Sequence, residues 1–439
     1  VSDTIFAVAT GRGKSGLSVI RVSGPYAHLA FALFNIRSLE PRRAALRRLT
    51  STDGQVIDEA LCLWFLGPDS FTGEDTLEFH CHGAVSVVSR LLELLGSVPE
   101  FRLARPGEFS RRALDNGRMD LVQAEGLADL IDSETEQQRQ QAIRQLTGGL
   151  SREVDQWRAE LIAILALFEA ELDFSDEGDV DTGILNEAAS RLLNLKGQMV
   201  RVLATGDRGE RLREGVTVVL AGAPNAGKST LLNALAQRDI AIVSPLPGTT
   251  RDIVEARLDL GGYPVTVLDT AGLRISADEI EQEGVRRMLA RAEAADIVVW
   301  LRTVEEIEAD LPKELREISG RLLPVITQID KRLVEADDLG LSALTGDGMD
   351  EFVQVVTELV RDRIGQSGEG AVLTRARQRE AVTEAVESVD RALTILHSAG
   401  TELVVEEVRI AMRAIARVTG HVGVEDILDR LFSQFCIGK

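Results

Sequence analysis

Residues 222–229 read Gly-Ala-Pro-Asn-Ala-Gly-Lys-Ser, a complete Gly-x-x-x-x-Gly-Lys-Ser/Thr loop near the middle of a 439-residue chain. Such a loop functions only between a strand and the N-terminus of a helix. There the backbone N–H groups turn toward phosphate oxygens and the helix dipole favours negative charge. Both flanks are present. An apolar run at 216–221 precedes the loop, and Leu231, Leu232, Leu235 and Ala236 follow it at helical spacing. Lys228 is placed to reach β- and γ-phosphates and Ser229 to ligate Mg²⁺, with Asn225, Ala226, Gly227 and Thr230 as the other loop contacts.

The segments downstream fit a switch built on the same sheet. Pro247-Gly248-Thr249-Thr250-Arg251-Asp252 reads as a switch segment whose threonine hydroxyl completes the Mg²⁺ shell when a γ-phosphate is present. Asp269-Thr270-Ala271-Gly272 follows the apolar run 265–268, so Asp269 is expected to hold Mg²⁺ through water and Gly272 N–H to sense the γ-phosphate. Apolar runs at 297–301 and 322–326 predict further buried parallel strands. The second ends in Thr327-Gln328-Ile329-Asp330, where GTPases carry Asn-Lys-x-Asp. Asp330 can accept from guanine N1 and N2, donors that adenine does not offer, and the backbone of Ser342-Ala343 suits guanine O6. Thr327 replaces the asparagine, and Gln328 replaces the lysine whose stem packs on the base. The retained aspartate favours GTP over ATP. A Ras-like GTPase domain of parallel-sheet α/β type is expected over 214–368. Leu273 stands where Ras-like proteins carry the water-orienting glutamine, so hydrolysis must recruit a group from elsewhere. The acidic stretch Asp278, Glu279, Glu281 and Glu283 reads as a charged helix start.

Charge limits the partners. The chain carries 49 Lys and Arg against 70 Asp and Glu, a net charge of −21. Residues 1–118 are nearly neutral, with 14 basic and 13 acidic side chains, so the acidity lies in the remainder. Such a body is a poor general nucleic-acid binder, because phosphate contacts need Lys and Arg. Any RNA contact would use a basic partner or a local cluster such as the five arginines of 37–48, or Arg102, Arg105, Arg111, Arg112 and Arg118. Three cysteines, Cys62, Cys81 and Cys436, form no even framework and fit a reducing compartment. No apolar run approaches membrane-spanning length, and the expected location is cytoplasmic.

The first third reads as mixed α/β, with short strands at 8–10, 16–22, 60–65 and 76–81. His80-Cys81-His82 lacks a second ligand cluster, which favours a structural or ligand-lining role over a metal site. From residue 119 the pattern turns helical, with turn-free stretches at 121–131 and 134–150 and a helical repeat through Leu161, Ile164, Leu165, Phe168 and Leu172. Helix resumes at 373–397 and 403–418. The two helical blocks flank the GTPase segment, each with an apolar face needing a partner. One bundle interrupted by an inserted domain is the economical arrangement, with linkers at 205–209 and 365–370. The expected organisation is therefore 1–118, a helical domain in parts 119–213 and 369–439, and the GTPase domain 214–368. The tail Cys436-Ile437-Gly438-Lys439 has glycine and lysine where a prenylation box wants an aliphatic and a small terminal residue.

These motifs together resemble the MnmE (TrmE) family of tRNA modification GTPases. The resemblance rests on the phosphate loop, Pro-Gly-Thr-Thr-Arg-Asp, Asp-Thr-Ala-Gly-Leu-Arg at 269–274, the stretch from Gly11-Arg12-Gly13 to Arg21-Val22-Ser23-Gly24, Phe71-Thr72-Gly73-Glu74-Asp75, Arg105-Pro106-Gly107-Glu108-Phe109-Ser110 and the Phe-Cys-Ile-Gly-Lys ending. It covers essentially the whole chain. It implies an enzyme that works with the FAD-dependent partner MnmG on the wobble uridine of tRNA, adding an aminomethyl-type (carboxymethylaminomethyl) group at C5. The one-carbon unit would come from a 5-formyl- or 5,10-methylene-tetrahydrofolate bound by residues 1–118, which also form the homodimer. Arg21, Glu78, Arg118 and Lys439 match the folate-contacting positions, with Arg118 standing where the family carries lysine and changing the donor geometry. The resemblance also implies K⁺-dependent dimerisation of the GTPase domains. Asn225, Ser244, Leu246 and Thr249 match the K⁺ ligands, Thr250 the Mg²⁺-coordinating switch threonine, and Glu281 the glutamate that orients the hydrolytic water. Cys436 matches the family's C-terminal cysteine.

Two other readings share part of the pattern. One is a ribosome-assembly GTPase whose switch gates RNA contact, although such proteins carry a basic appendage that this acidic chain lacks. The other is a folate-dependent aminomethyl transferase in which the GTPase is only regulatory.

Overall fold

A computed structural model of the chain describes residues 3–11, 13–174, 182–242, 255–269, 292–307, 315, 321–332, 338–365, 373–398, 400–422, 425–435 and 437–438. The fold divides into two compact units, one of residues 1–128 with 412–439 and one of residues 129–411.

The first unit is built on a six-stranded sheet of order β3-β4-β5-β2-β1-β6, from β1 (Thr4–Val8), β2 (Ser15–Ser23), β3 (Ala45–Thr50), β4 (Val56–Phe65), β5 (Thr76–Gly83) and β6 (Phe101–Leu103). Alternation along the strands sends Ile20, Val22, Leu77, Phe79 and Cys81 into a buried core, where α1 (Leu29–Leu33) and α2 (Val85–Gly96) cover one face. β1 runs antiparallel to β2 and parallel to β6. The strands expected at 16–22, 60–65 and 76–81 are present. The one expected at 8–10 lies earlier, at Thr4–Val8, because its apolar residues Ile5, Phe6 and Ala7 are the buried ones. The arginine cluster of 37–48 hid β3. This edge strand pairs Arg48 with Glu59 of β4, and its alternation is broken by Arg47, half-buried on the inward face between Ala45 and Leu49. After α3 (Glu108–Asp115), the start of α4 (Leu121–Asp132) packs Leu121 and Ala124 against Leu428, Leu431, Phe432 and Phe435.

In the second unit the stretch 134–150 is not turn-free. A capping box, in which Gln138 N bonds Thr135 Oγ1, starts α5 (Glu136–Leu146). The chain turns at Thr147-Gly148, where Gly148 has φ +78°, before α6 (Gly149–Phe174). The segment 205–209 is not a linker either: Gly206–Glu214 forms α8, preceded by α7 (Thr182–Leu203). Of the other expected linker, 365–370, only Gly365 falls among the described residues. α7 packs against α6 and also against Ala376–Ile395, a helix from the far side of the GTPase segment, with Lys196 Nζ 2.5 Å from Asp390 Oδ1 across that contact. The two helical blocks thus share a core.

Between these blocks lies a second sheet, of order β12-β11-β10-β7-β9-β8. Its strands are β7 (Val216–Gly222), β8 (Glu255–Leu260), β9 (Tyr263–Asp269), β10 (Ile297–Thr303), β11 (Arg321–Thr327) and β12 (Leu339–Leu341). All pairings are parallel except the β8–β9 hairpin. Apolar clusters bury both faces, as a parallel sheet requires. α9 (Lys228–Ala236) and α10 (Met349–Ile364) cover one of them, and α11 (Ala376–Ile395) and α12 (Thr401–Thr419) follow; the chain re-enters the first unit at Met412, within α12, and α13 (Glu425–Ser433) belongs to that unit.

Trp157 of α6 is fully buried, and its Nε1 meets no partner among the described residues. Trp157→Ala should therefore cost about 3–5 kcal/mol as a cavity. Trp157→Phe should cost about 1–2 kcal/mol, because no partner is stranded when the indole N–H is lost. Urea unfolding followed by far-UV circular dichroism measures both, and equal losses would show that the N–H is bonded.

Candidate functional site

The sheet order reverses at β7, and the loop after it lies at the carboxyl ends of the parallel strands, where such sheets take ligands. Gly222 has no room for a side chain, since a Cβ there would collide with the Leu301 carbonyl of β10. The loop turns through left-handed Asn225 (φ +66°) and Gly227 (φ +89°), forming a concave run of backbone that enters α9.

Side chains bond four of the loop's carbonyls. Lys228 Nζ donates to the Gly222 carbonyl at 2.9 Å and the Ala223 carbonyl at 2.8 Å. Thr327 Oγ1, at the end of β11, donates to the Ala226 carbonyl at 2.8 Å, and Gln328 Nε2 donates to the Asn225 carbonyl at 3.0 Å. In a trans peptide the following N–H points the opposite way, so tying the Ala226 carbonyl to β11 turns Gly227 N–H into the concavity. The first N–H groups of α9 have no intrahelical acceptor and add to it. Ser229 Oγ donates to Asp269 Oδ2 at 2.5 Å, so a hydroxyl and a carboxylate converge at the end of β9. These hard oxygen donors suit Mg²⁺, which dehydrates reluctantly and takes few protein ligands.

Lys228 is almost fully buried, and burial lowers its pKa, with Asp269 opposing the shift. The folded chain therefore releases this proton before the unfolded chain does. The resulting penalty is present at neutral pH and falls as pH rises toward the ordinary lysine value. An ammonium has three N–H donors, and two are spent on the loop, which leaves one for a phosphate oxygen.

Beyond β11, Asp330 is exposed on a turn, while Ser342 is buried, its N–H on the Asp347 carbonyl at 2.9 Å and its Oγ accepting from Thr345 N–H at 3.2 Å. Ala343 is half-buried beside it. Asn225, Ser229 and Thr230 are exposed on the loop, and Ala226 is buried under it. Ser244, Leu246, Thr249, Thr250, Thr270, Ala271, Gly272, Leu273 and Glu281 lie outside the described residues, as do Cys436 and Lys439.

A second polar cluster sits in the first unit. Arg21 and Glu78 are directly paired across β2 and β5, and Arg21 Nε donates to Glu78 Oε1 at 2.9 Å. The other carboxylate oxygen lies 3.2 Å from His80 Nε2. The Arg21 guanidinium lies 5.3 Å from the ring centre of Phe71 and 5.6 Å from that of Phe109, within cation–π range. Arg118 approaches the same loop, 3.9 Å from Asp69 Oδ1 and close to Gly73. The tail reaches this sheet: Ile437 bridges Pro106, and a Cβ on Gly438 would collide with the Val8 carbonyl of β1. His82 bonds Asp58 at 2.7 Å. Cys62 and Cys81 are buried, and desolvation pushes their thiols up to about 12 and about 11, so neither is a ready nucleophile. The Phe71–Phe109 bracket around Arg21 was not foreseen, since only the spacing of the flanking motifs hinted at it.

A phosphate loop at the switch point of a parallel sheet, with the strand-end Asp269 facing Ser229, defines a P-loop nucleotide hydrolase of GTPase type. Models of the GTP-binding protein TrmE N-terminus and of the MnmE helical domain match residues 4–118 and 121–436. The tRNA modification GTPase MnmE of Methylobacterium radiotolerans is 51% identical over 447 residues, covering 100% of this chain and 99% of that protein. Those of Methylorubrum populi and Maricaulis maris are 50% and 48% identical, covering 100% of this chain and 98% and 100% of theirs. The chain belongs to the MnmE family of tRNA modification GTPases, enzymes of GTP and Mg²⁺ involved in wobble uridine modification. Among the described residues no helix is long and apolar enough to cross a membrane.

Lys228→Ala removes both loop braces and the buried cation. GTP turnover should fall by about 10²–10³, the usual scale for losing one preorganised charge contact. Phosphate release assays measure this, and a turnover within about threefold of the parent would refute the assignment.

Proposed function

We propose that this GTPase drives addition of a carboxymethylaminomethyl-type group to C5 of the tRNA wobble uridine, in the cytoplasm, as a homodimer complexed with the FAD-dependent protein MnmG. The one-carbon unit comes from 5-formyl- or 5,10-methylene-tetrahydrofolate held by residues 1–118. The observation that carries the folate reading is the Arg21–Glu78 pair bracketed by Phe71 and Phe109. A carboxylate has more acceptor positions than Arg21 and His80 use, and the rest can take the donor edge of a pterin. The exposed Phe71 ring suits its flat face, with Phe109 buried behind Arg21, while Arg118 and Lys439 suit the glutamate tail.

In the GTPase domain Ser229 and Thr250 would hold Mg²⁺, whose charge would offset that of the phosphoryl group being transferred. Lys228 lies against the β- and γ-phosphates, with Thr270, Ala271 and Gly272 on the γ side. Asp330, Ser342 and Ala343 read guanine. Asn225, Ser244, Leu246 and Thr249 hold K⁺, whose charge does the work an arginine finger does elsewhere. Glu281 orients the attacking water in place of the glutamine that Leu273 excludes. The role of Cys436 is tied to the folate end of the chain, where Ile437 and Gly438 are anchored.

Exchange of K⁺ for Na⁺ should lower the GTPase rate by about tenfold or more, a loss of roughly 1.4 kcal/mol of transition-state stabilisation. Glu281→Ala should abolish hydrolysis while leaving nucleotide affinity nearly intact. Equal rates in the two salts, or unchanged turnover of the variant, would remove the corresponding assignment. Nucleoside analysis of tRNA from cells with and without the gene tests the whole reading: the wobble uridine adduct should vanish without it, and its persistence would reject the proposal.

A further inference from the structure

Gln328 occupies the position where the family pattern carries a lysine, and the structure gives this glutamine a specific task. Its backbone is left-handed, with φ +63°, a conformation that costs a long side chain strain. That turn has a consequence. Successive side chains of an extended strand point to opposite faces, so a regular β11 would send Thr327 and Gln328 apart. With the turn at 328, both reach the phosphate loop and grip adjacent carbonyls, Thr327 that of Ala226 and Gln328 that of Asn225.

The polarity of the Gln328 amide is fixed from both ends. Lys331 Nζ donates to Gln328 Oε1 at 2.5 Å, and Gln328 Nε2 donates to the Asn225 carbonyl at 3.0 Å. A flipped amide would set oxygen against a carbonyl and N–H against an ammonium. The Lys331 charge therefore polarises a neutral donor aimed at the loop, strengthening its bond. The same four-residue turn carries Asp330, flanked by Gln328 and Lys331.

We propose that Gln328 is a positioning residue for nucleotide binding. With Lys331 behind it, it couples the guanine-reading turn of Asp330 to the phosphate loop at Asn225 through a polarised amide. This rests on the reading of Asp330 as the guanine acceptor. Gln328 thereby contributes affinity and base selectivity, beyond holding the fold.

Equilibrium titration of the full chain with Mg²⁺ and fluorescent GDP or ADP tests it, alongside thermal melting without nucleotide. Gln328→Glu keeps the shape but loses the donor and should weaken GDP by about tenfold or more. Gln328→Lys restores a donor of sufficient reach and should recover affinity to within about threefold of the parent. Lys331→Ala should weaken GDP by a smaller factor, about two- to threefold. Gln328→Gly removes the grip but suits the left-handed turn, so its melting temperature should not fall while GDP affinity does. That split distinguishes positioning from mere folding. If the parent prefers GDP over ADP and Gln328→Glu binds GDP equally well, the proposal is overturned and the guanine reading stands. If the parent shows no preference for GDP, the guanine reading and the proposal fall together.

Discussion

Side-chain hydrogen bonds to four of its carbonyls order the phosphate loop, and they come from the start of α9 and the end of β11. Because the trans peptide couples each C=O to the next N–H, fixing a carbonyl fixes the direction of that N–H. Lys228, Thr327 and Gln328 hold the carbonyls of Gly222, Ala223, Ala226 and Asn225. Thr327 and Gln328 stand at the end of β11 and Lys228 at the start of α9, so strand register sets where their donors arrive. Parallel pairing puts Leu301 of β10 opposite Gly222 of β7, and the same register brings the end of β11 level with the loop. A one-residue slip would turn these side chains to the wrong face.

The first unit uses a different device. Arg21 and Glu78 are directly opposite across antiparallel strands, where side chains on one face come closest. The pair is half-buried rather than sealed, with Arg21 against two aromatic rings. It keeps its charges accessible while its geometry is held by the sheet. The C-terminal residues are tied to the same sheet through Pro106 and Val8, so the end of the chain is part of the site's surroundings.

The legible parts of the sequence were those where one local rule dominates. The phosphate loop has a fixed spacing, and the buried strands at 216–221 and 297–301 read as continuous apolar runs, so both were found nearly to the residue. β3 was missed because Arg47 stands on its inward face between Ala45 and Leu49 and breaks the apolar alternation, and β8 because it alternates Ala256, Leu258 and Leu260 with charged residues instead of forming a continuous apolar run. β12 is only three residues long. α8 was read as a linker from its glycines, although tertiary contacts with α5 and α10 override that local preference. In the site, Thr327 and Gln328 looked like losses from the guanine motif. Their contacts with the loop depend on a left-handed turn that no propensity for glutamine would predict.

Amide hydrogen exchange across residues 222–231, with and without Mg²⁺-GDP, shows whether the braced loop presents its N–H groups to phosphate. The amides of Gly227, Lys228 and Ser229 should slow together on nucleotide binding, as each gains a phosphate acceptor. Unchanged exchange at these three amides, under conditions where GDP is demonstrably bound, would contradict it.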